Sequence, residues 1–89
     1  MNAEQLGRVL RATEGNNGSR RLAAQFLVDM PPPVRAIRAE ELIGGCAGMR
    51  PQQTQRYLEA AAIRPETPLG DLSLPQRAAL AGALRLRRG

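Results

Sequence analysis

The sequence predicts an all-α protein of about five short helices, and three observations lead to that prediction. Apolar residues recur at spacings of three and four, which places them on one face of a helix. No segment shows the alternating, β-branched pattern of a strand. Gly- and Pro-rich stretches divide the 89 residues into short helical segments, and this length suits one compact domain.

The first two helices are predicted on either side of a polar turn. Apolar residues from Leu6 to Leu10 predict a helix over about Ala3 to Thr13. The segment EGNNGS then supplies turn residues, and we expect Ser19 to be the N-cap of the second helix. Three consecutive prolines, Pro31 to Pro33, remove backbone donors and end that helix.

A glycine-rich segment from Gly44 to Arg50, called the elbow, separates the third and fourth predicted helices. The third spans about Val34 to Ile43 and ends at the glycines of GGCAGMRP. Pro51 fits the first turn of the fourth helix, where its missing N–H would have no intrahelical partner. After a second turn, IRPETPLGDL, Ser73 and Gln76 have the spacing of a capping box for the fifth helix.

The charge of the chain indicates a polyanionic partner. The net charge is +5 at pH 7, and all thirteen basic residues are arginine. Arginines displace counterions from phosphates and bind them through two parallel hydrogen bonds. Arg20 and Arg21 stand at the start of the second helix, where the helix dipole does not favour them, so a phosphate contact is favoured for this pair.

The composition excludes several classes of site. With one cysteine, Cys46, and no histidine, the chain has no internal disulfide, no usual zinc ligand set and no imidazole for acid–base catalysis. We expect Cys46 to be a small buried hydrophobe. The sequence has neither a signal-like apolar region nor a run of about 20 apolar residues, so neither export nor membrane insertion is indicated. We therefore expect a cytoplasmic protein that is not an enzyme and needs no metal or cofactor.

The elbow follows the plan of a helix–hairpin–helix motif. Its glycines let the main chain approach a phosphate, and the N–H groups at the next helix start can donate to that anion. Arg50 and Arg56 would add positive charge. The alternative is that the glycines only make a sharp turn between packed helices. The candidate main-chain donors are the amides of Gly48, Met49, Arg50, Gln52 and Gln53.

From Gly18 to Leu80 the chain resembles the actinobacterial integration host factor family. The resemblance is carried by the order and spacing of VRAIRAEELIGGCAGM, QQTQRYLEAAAI, RPETPLGDLS and LPQRAAL. These family members are small nucleoid proteins whose fold is similar to the helix-two-turn-helix region of a ribosomal small-subunit protein. The resemblance implies a sequence-tolerant double-stranded DNA-binding protein that bends or compacts the duplex and uses both turns on its phosphate backbone.

The resemblance also assigns roles within the two turns. Gly48 and Met49 match the first glycine and the apolar residue of the family's Gly-x-Gly, and Arg50 stands in place of the second glycine. The family's arginine-rich second turn corresponds here to Thr67 to Gly70. The family's basic residues after the hairpin correspond here to uncharged ones, namely Pro51, Gln53 and Gln55.

We expect two phosphate contacts and a secondary basic patch. One phosphate would lie at the elbow, between Gly48 and the amides through Gln53, with Arg50 and Arg56 beside it. Arg64 with Thr67 would reach the neighbouring strand. The secondary patch on the third helix would consist of Arg35 and Arg38.

The predicted organisation is an N-terminal helix and turn over residues 1–17 and a helix-two-turn-helix DNA-binding domain over residues 18–89. We expect a monomer in solution that is located in the nucleoid. The alternative is an adaptor or regulator derived from this fold, whose basic surface binds an acidic protein partner. RNA is less favoured, because the sequence offers no exposed aromatic residues for stacking on single strands.

Overall fold

The computed structural model describes residues 1–13 and 15–86, and over these ranges the chain forms five α-helices. The prediction of an all-α fold with about five short helices is confirmed. Short 3-10 helices also cover Pro32–Val34 and Leu69–Asp71. The α-helices are α1 (Ala3–Ala12), α2 (Gly15–Asp29), α3 (Ala39–Gly44), α4 (Pro51–Ala60) and α5 (Leu74–Arg85).

Helix α2 begins four residues before the predicted N-cap. Ser19 lies inside the helix and is fully buried, so its prediction as an N-cap is wrong. Its Oγ instead accepts a hydrogen bond from the backbone N–H of Ala47, at 2.9 Å, and so ties α2 to the elbow. The predicted boundary between residues 17 and 18 falls within this helix.

Helix α3 is shorter than predicted because the residues before it pair with the second turn. Leu69 donates to the carbonyl of Ile37 and Ala39 donates to that of Thr67, both at 2.8 Å. Arg38 and Pro68 form an isolated antiparallel bridge between the same segments. We call residues 35–40 together with residues 65–70 the clasp.

A single aliphatic core joins all five helices. Helices α2 and α5 share the most extensive contact, and α1 packs on both α2 and α3. Phe26 and Tyr57 are only partly buried against this core. No helix in the described ranges is long and apolar enough to cross a membrane. The fully buried leucines are Leu6, Leu10, Leu27, Leu42, Leu58, Leu69, Leu80 and Leu84.

Side chains at the start of α5 satisfy the ends of two helices. The capping box predicted for α5 is present: Ser73 Oγ accepts from the N–H of Gln76 at 3.2 Å, and Gln76 Oε1 accepts from that of Ser73 at 3.0 Å. From the first turn of α5, Arg77 donates to the carbonyls of Leu27 and Val28, both at 2.8 Å. Arg77 thus satisfies carbonyls that the end of α2 leaves without intrahelical donors.

Candidate nucleic-acid interface

Two glycines shape the elbow between α3 and α4, Gly45 through close packing and Gly48 through its backbone conformation. A Cβ on buried Gly45 would lie 3.0 Å from the carbonyl oxygen of Glu41 and 3.3 Å from the Cα of Gly7. Gly48 has a φ of +73°, and the exposed Asn16 side chain lies against the position that a Cβ would take. Helix packing therefore explains Gly45 and the left-handed backbone explains Gly48, as the sharp-turn alternative expects.

Two of the five predicted main-chain donors at the elbow are already used within the protein. The N–H of Met49 donates to the carbonyl of Cys46 at 3.2 Å, and that of Arg50 donates to Gln53 Oε1 at 3.0 Å. Their predicted role as phosphate donors is corrected accordingly. Among the described residues, the N–H groups of Gly48, Gln52 and Gln53 have no hydrogen-bond acceptor.

One face of α4 is basic and open. Arg50 and Arg56 are exposed, and Arg56 lines a shallow hollow of about 250 Å³ with Gln53, Tyr57 and Ala60. Within residues 1–13 and 15–86, the ion pair found joins Arg8 to Glu4, so neither Arg50 nor Arg56 is neutralised by a carboxylate there. An anion could approach the start of α4 from this side.

The opposite face of α4 borders an apolar groove with acidic residues. The groove has a volume of about 470 Å³ and lies between α3 and α4. Glu40 and Glu41 line it from α3, and Pro51 and Leu58 line it from α4. Glu41 Oε1 also accepts from the N–H of Arg38, at 3.0 Å. The positive charge around the elbow is therefore one-sided.

The remaining predicted site residues lie in the clasp or, in the case of Arg64, directly before it. Arg38 and Arg64 are exposed, and Thr67 is half-buried, with its N–H donating to the Arg64 carbonyl at 3.1 Å. Arg35 and Arg38 precede α3, so the prediction that they lie on a helix is wrong. Arg35 Nε donates to the carbonyl of Met30 at 3.3 Å, which commits part of its guanidinium to the fold.

Arg20 is buried beneath the elbow, although the sequence predicts it to be exposed and to contact phosphate. Arg20 is 1% exposed, and its Nε and Nη1 have no hydrogen-bond partner among the described residues. The predicted phosphate contact is therefore wrong for Arg20, whereas Arg21 is exposed. The signal that could have found it is spacing, because Arg20 precedes Ala23, Ala24 and Leu27 by three, four and seven residues.

Cys46 lies beside this arginine and is 3% exposed, as expected for a small hydrophobe. Burial raises the pKa of the Cys46 thiol to about 11, although the positive charge of Arg20 and a hydrogen bond with Ser19 act to lower it. Its Sγ also makes a hydrogen bond to the carbonyl of Leu42 at 3.7 Å. The thiol is thus protonated at neutral pH and is poorly suited to nucleophilic chemistry.

Comparison of the chain with protein-family models, with curated proteins and with solved structures gave no match. The resemblance to the integration host factor family stays a prediction.

Proposed function

We propose that the protein binds double-stranded DNA through the phosphate backbone, largely independently of base sequence, as a nucleoid-associated architectural protein. The observation that carries this proposal is the exposed start of α4. There the N–H groups of Gly48, Gln52 and Gln53 have no acceptor among the described residues, and Arg50 and Arg56 stand exposed beside them. Main-chain donors at a helix N-terminus and neighbouring guanidinium groups both favour a phosphate.

A second phosphate contact is proposed at the clasp, through Arg38 and through Arg64, which directly precedes it. The ten residues of α4 separate the elbow from the second turn by about 15 Å. This separation is comparable with the roughly 12 Å width of the major groove, so the two contacts suit phosphates on opposite strands. The hydrogen bonds of the clasp hold the second turn against the start of α3 and keep this separation fixed.

The test is a titration with random-sequence duplex DNA at several salt concentrations. Each phosphate contact contributes about −0.9 to the slope of log K against log salt concentration. We expect a slope corresponding to several phosphates. Arg50→Ala and Arg56→Ala should each make the slope less steep by about one, because each removes one cation from the interface.

Arg8→Ala is the matched control, since Arg8 is exposed but already paired with Glu4 at 2.7 Å. Its slope should equal that of the wild type, as should that of Cys46→Ser. Absence of duplex binding at low salt would contradict the proposal and favour an adaptor with an acidic protein partner. Equal binding of duplex RNA and duplex DNA would contradict a specific role on DNA.

A further inference from the structure

The groove between α3 and α4 is an apolar surface that the proposed DNA contacts leave free. Met49, Pro51, Leu58 and Pro65 contribute to its lining, and Glu40 and Glu41 add two neighbouring carboxylates. The protein as a whole carries a net charge of +5. A local pair of carboxylates beside apolar surface is complementary to a segment that is both apolar and cationic.

Such a segment lies at the end of α5. Leu86 is 78% exposed, the highest exposed fraction of any large hydrophobic side chain in the described ranges. It follows Arg85, which is also exposed. The sequence continues with two more arginines, so positive charge is concentrated next to this leucine.

We propose that the Arg85–Leu86 end of α5 in one copy of the chain docks into the groove of a second copy. Leu86 enters the apolar part of the groove and removes its side chain from water. Arg85 pairs with Glu40, which is exposed, whereas Glu41 is already engaged with the N–H of Arg38. Apolar burial and opposite charges thus favour the same contact.

The contact is head-to-tail, because the groove and the end of α5 are different surfaces of the molecule. Each copy can then contact two neighbours, one through its groove and one through its α5 end. The small contact makes the association weak, so the monomer expected from the sequence predominates at low concentration. This inference does not rest on DNA binding.

The test measures self-association of the full chain by sedimentation velocity over a concentration series without DNA. The weight-average sedimentation coefficient of the wild type should rise with concentration. Glu40→Arg places an arginine at both position 40 and position 85, and Arg85→Glu places a glutamate at both, so the contact between these two positions becomes repulsive and each variant alone should stay monomeric. An equimolar mixture of the two should associate, since every groove then finds an α5 end of opposite charge.

Asp29→Arg is the matched control, because it changes the net charge as Glu40→Arg does, at an exposed position on α2 outside the groove. It should associate like the wild type. Leu86→Ser should weaken association at least about tenfold through lost apolar burial. Circular dichroism would establish that each variant is folded.

Three results would overturn the inference: a wild type that is monomeric at every concentration, loss of association in Asp29→Arg, or no recovery in the mixture. None of them would affect the salt dependence on which the DNA proposal is tested.

Discussion

Arg20 places a guanidinium in the interior of the protein, beside Cys46 and Ser19. Leaving buried donors without partners costs about 1–3 kcal/mol, and two nitrogens of Arg20 are in this state among the described residues. Its positive charge acts on the Cys46 thiol against the effect of burial, and burial dominates. The titration of the Cys46 thiol therefore reports on the balance between burial and the charge of Arg20.

Replacing Cys46 with Ala tests the raised thiol pKa through stability at alkaline pH. The pKa is 9.0 in an unperturbed thiol and about 11 in the folded protein. Between these values only the unfolded chain releases the proton, so the free energy of unfolding falls as pH rises, by up to about 1.4 kcal/mol per pH unit. Below pH 9 this loss is absent. Urea denaturation from pH 7 to 11 should show the additional decrease in the wild type.

The Cys46→Ala variant should lack this component, and any other effect of the substitution is a constant difference in stability at all pH values. The chain contains no lysine, so few other groups titrate in the same range. Identical pH dependences for the two proteins would contradict the raised pKa.

Two glycines provide a paired test of backbone conformation. Gly48→Ala should lower the free energy of unfolding by about 1 kcal/mol or more, because φ is +73°, a backbone conformation that residues with a Cβ rarely adopt. Gly82→Ala should raise it by about 0.5–1 kcal/mol, since Gly82 is helical and has open space around it. Thermal or urea denaturation measures both, and equal effects would contradict the assigned role of Gly48.

At the scale of elements, the sequence predicts helices where local signals and tertiary contacts agree. Pro51 and the Ser73 capping box mark helix starts that the structure confirms. The predicted start of α2 is wrong because EGNNGS has the composition of a turn. In the structure Ser19 lies inside the helix and accepts a hydrogen bond from Ala47, 28 positions away. The predicted start of α3 is wrong because the residues before the helix pair in the clasp with residues that are distant in sequence. Local pattern carries no information on either partner.

Ser19→Ala tests the link between α2 and the elbow. It removes the acceptor of the Ala47 N–H, so hydrogen exchange at Ala47 should accelerate and stability should fall by about 1–2 kcal/mol. Ser73→Ala makes the same chemical change at the cap of α5 and should cost about 1 kcal/mol. Exchange at Ala47 should be unchanged in Ser73→Ala once global stability is taken into account, and equal acceleration in both variants would contradict the link.

At the scale of the whole molecule, α1 is part of the core that supports the elbow. Leu6 and Leu10 are fully buried, and a Cβ on Gly45 would lie 3.4 Å from Leu10 Cδ1. Of the candidate site, the sequence predicted the exposed arginines and the position of the elbow. The engaged donors, the acidic groove and buried Arg20 depend on packing between helices, which residue pattern alone does not specify.

Leu10→Ala should lower the free energy of unfolding by about 2–5 kcal/mol and preserve a single transition, because one core spans α1 to α5. Val9→Ala is the control, since Val9 is 40% exposed on the same helix and its truncation should cost much less. Urea denaturation followed by circular dichroism measures both. A separate early transition in Leu10→Ala would instead indicate that the first helix unfolds independently of the other four.

The extensive contact between α2 and α5 also affects synthesis of the protein. These helices are separated in the sequence by the whole of α3 and α4, so their pairing must close a long loop and is slow compared with the packing of α3 on α4, which are neighbours in the sequence. While the ribosome is still translating α5, the part of α2 that packs on α5 has no partner. The nascent chain therefore completes its tertiary structure only after α5 has left the exit tunnel.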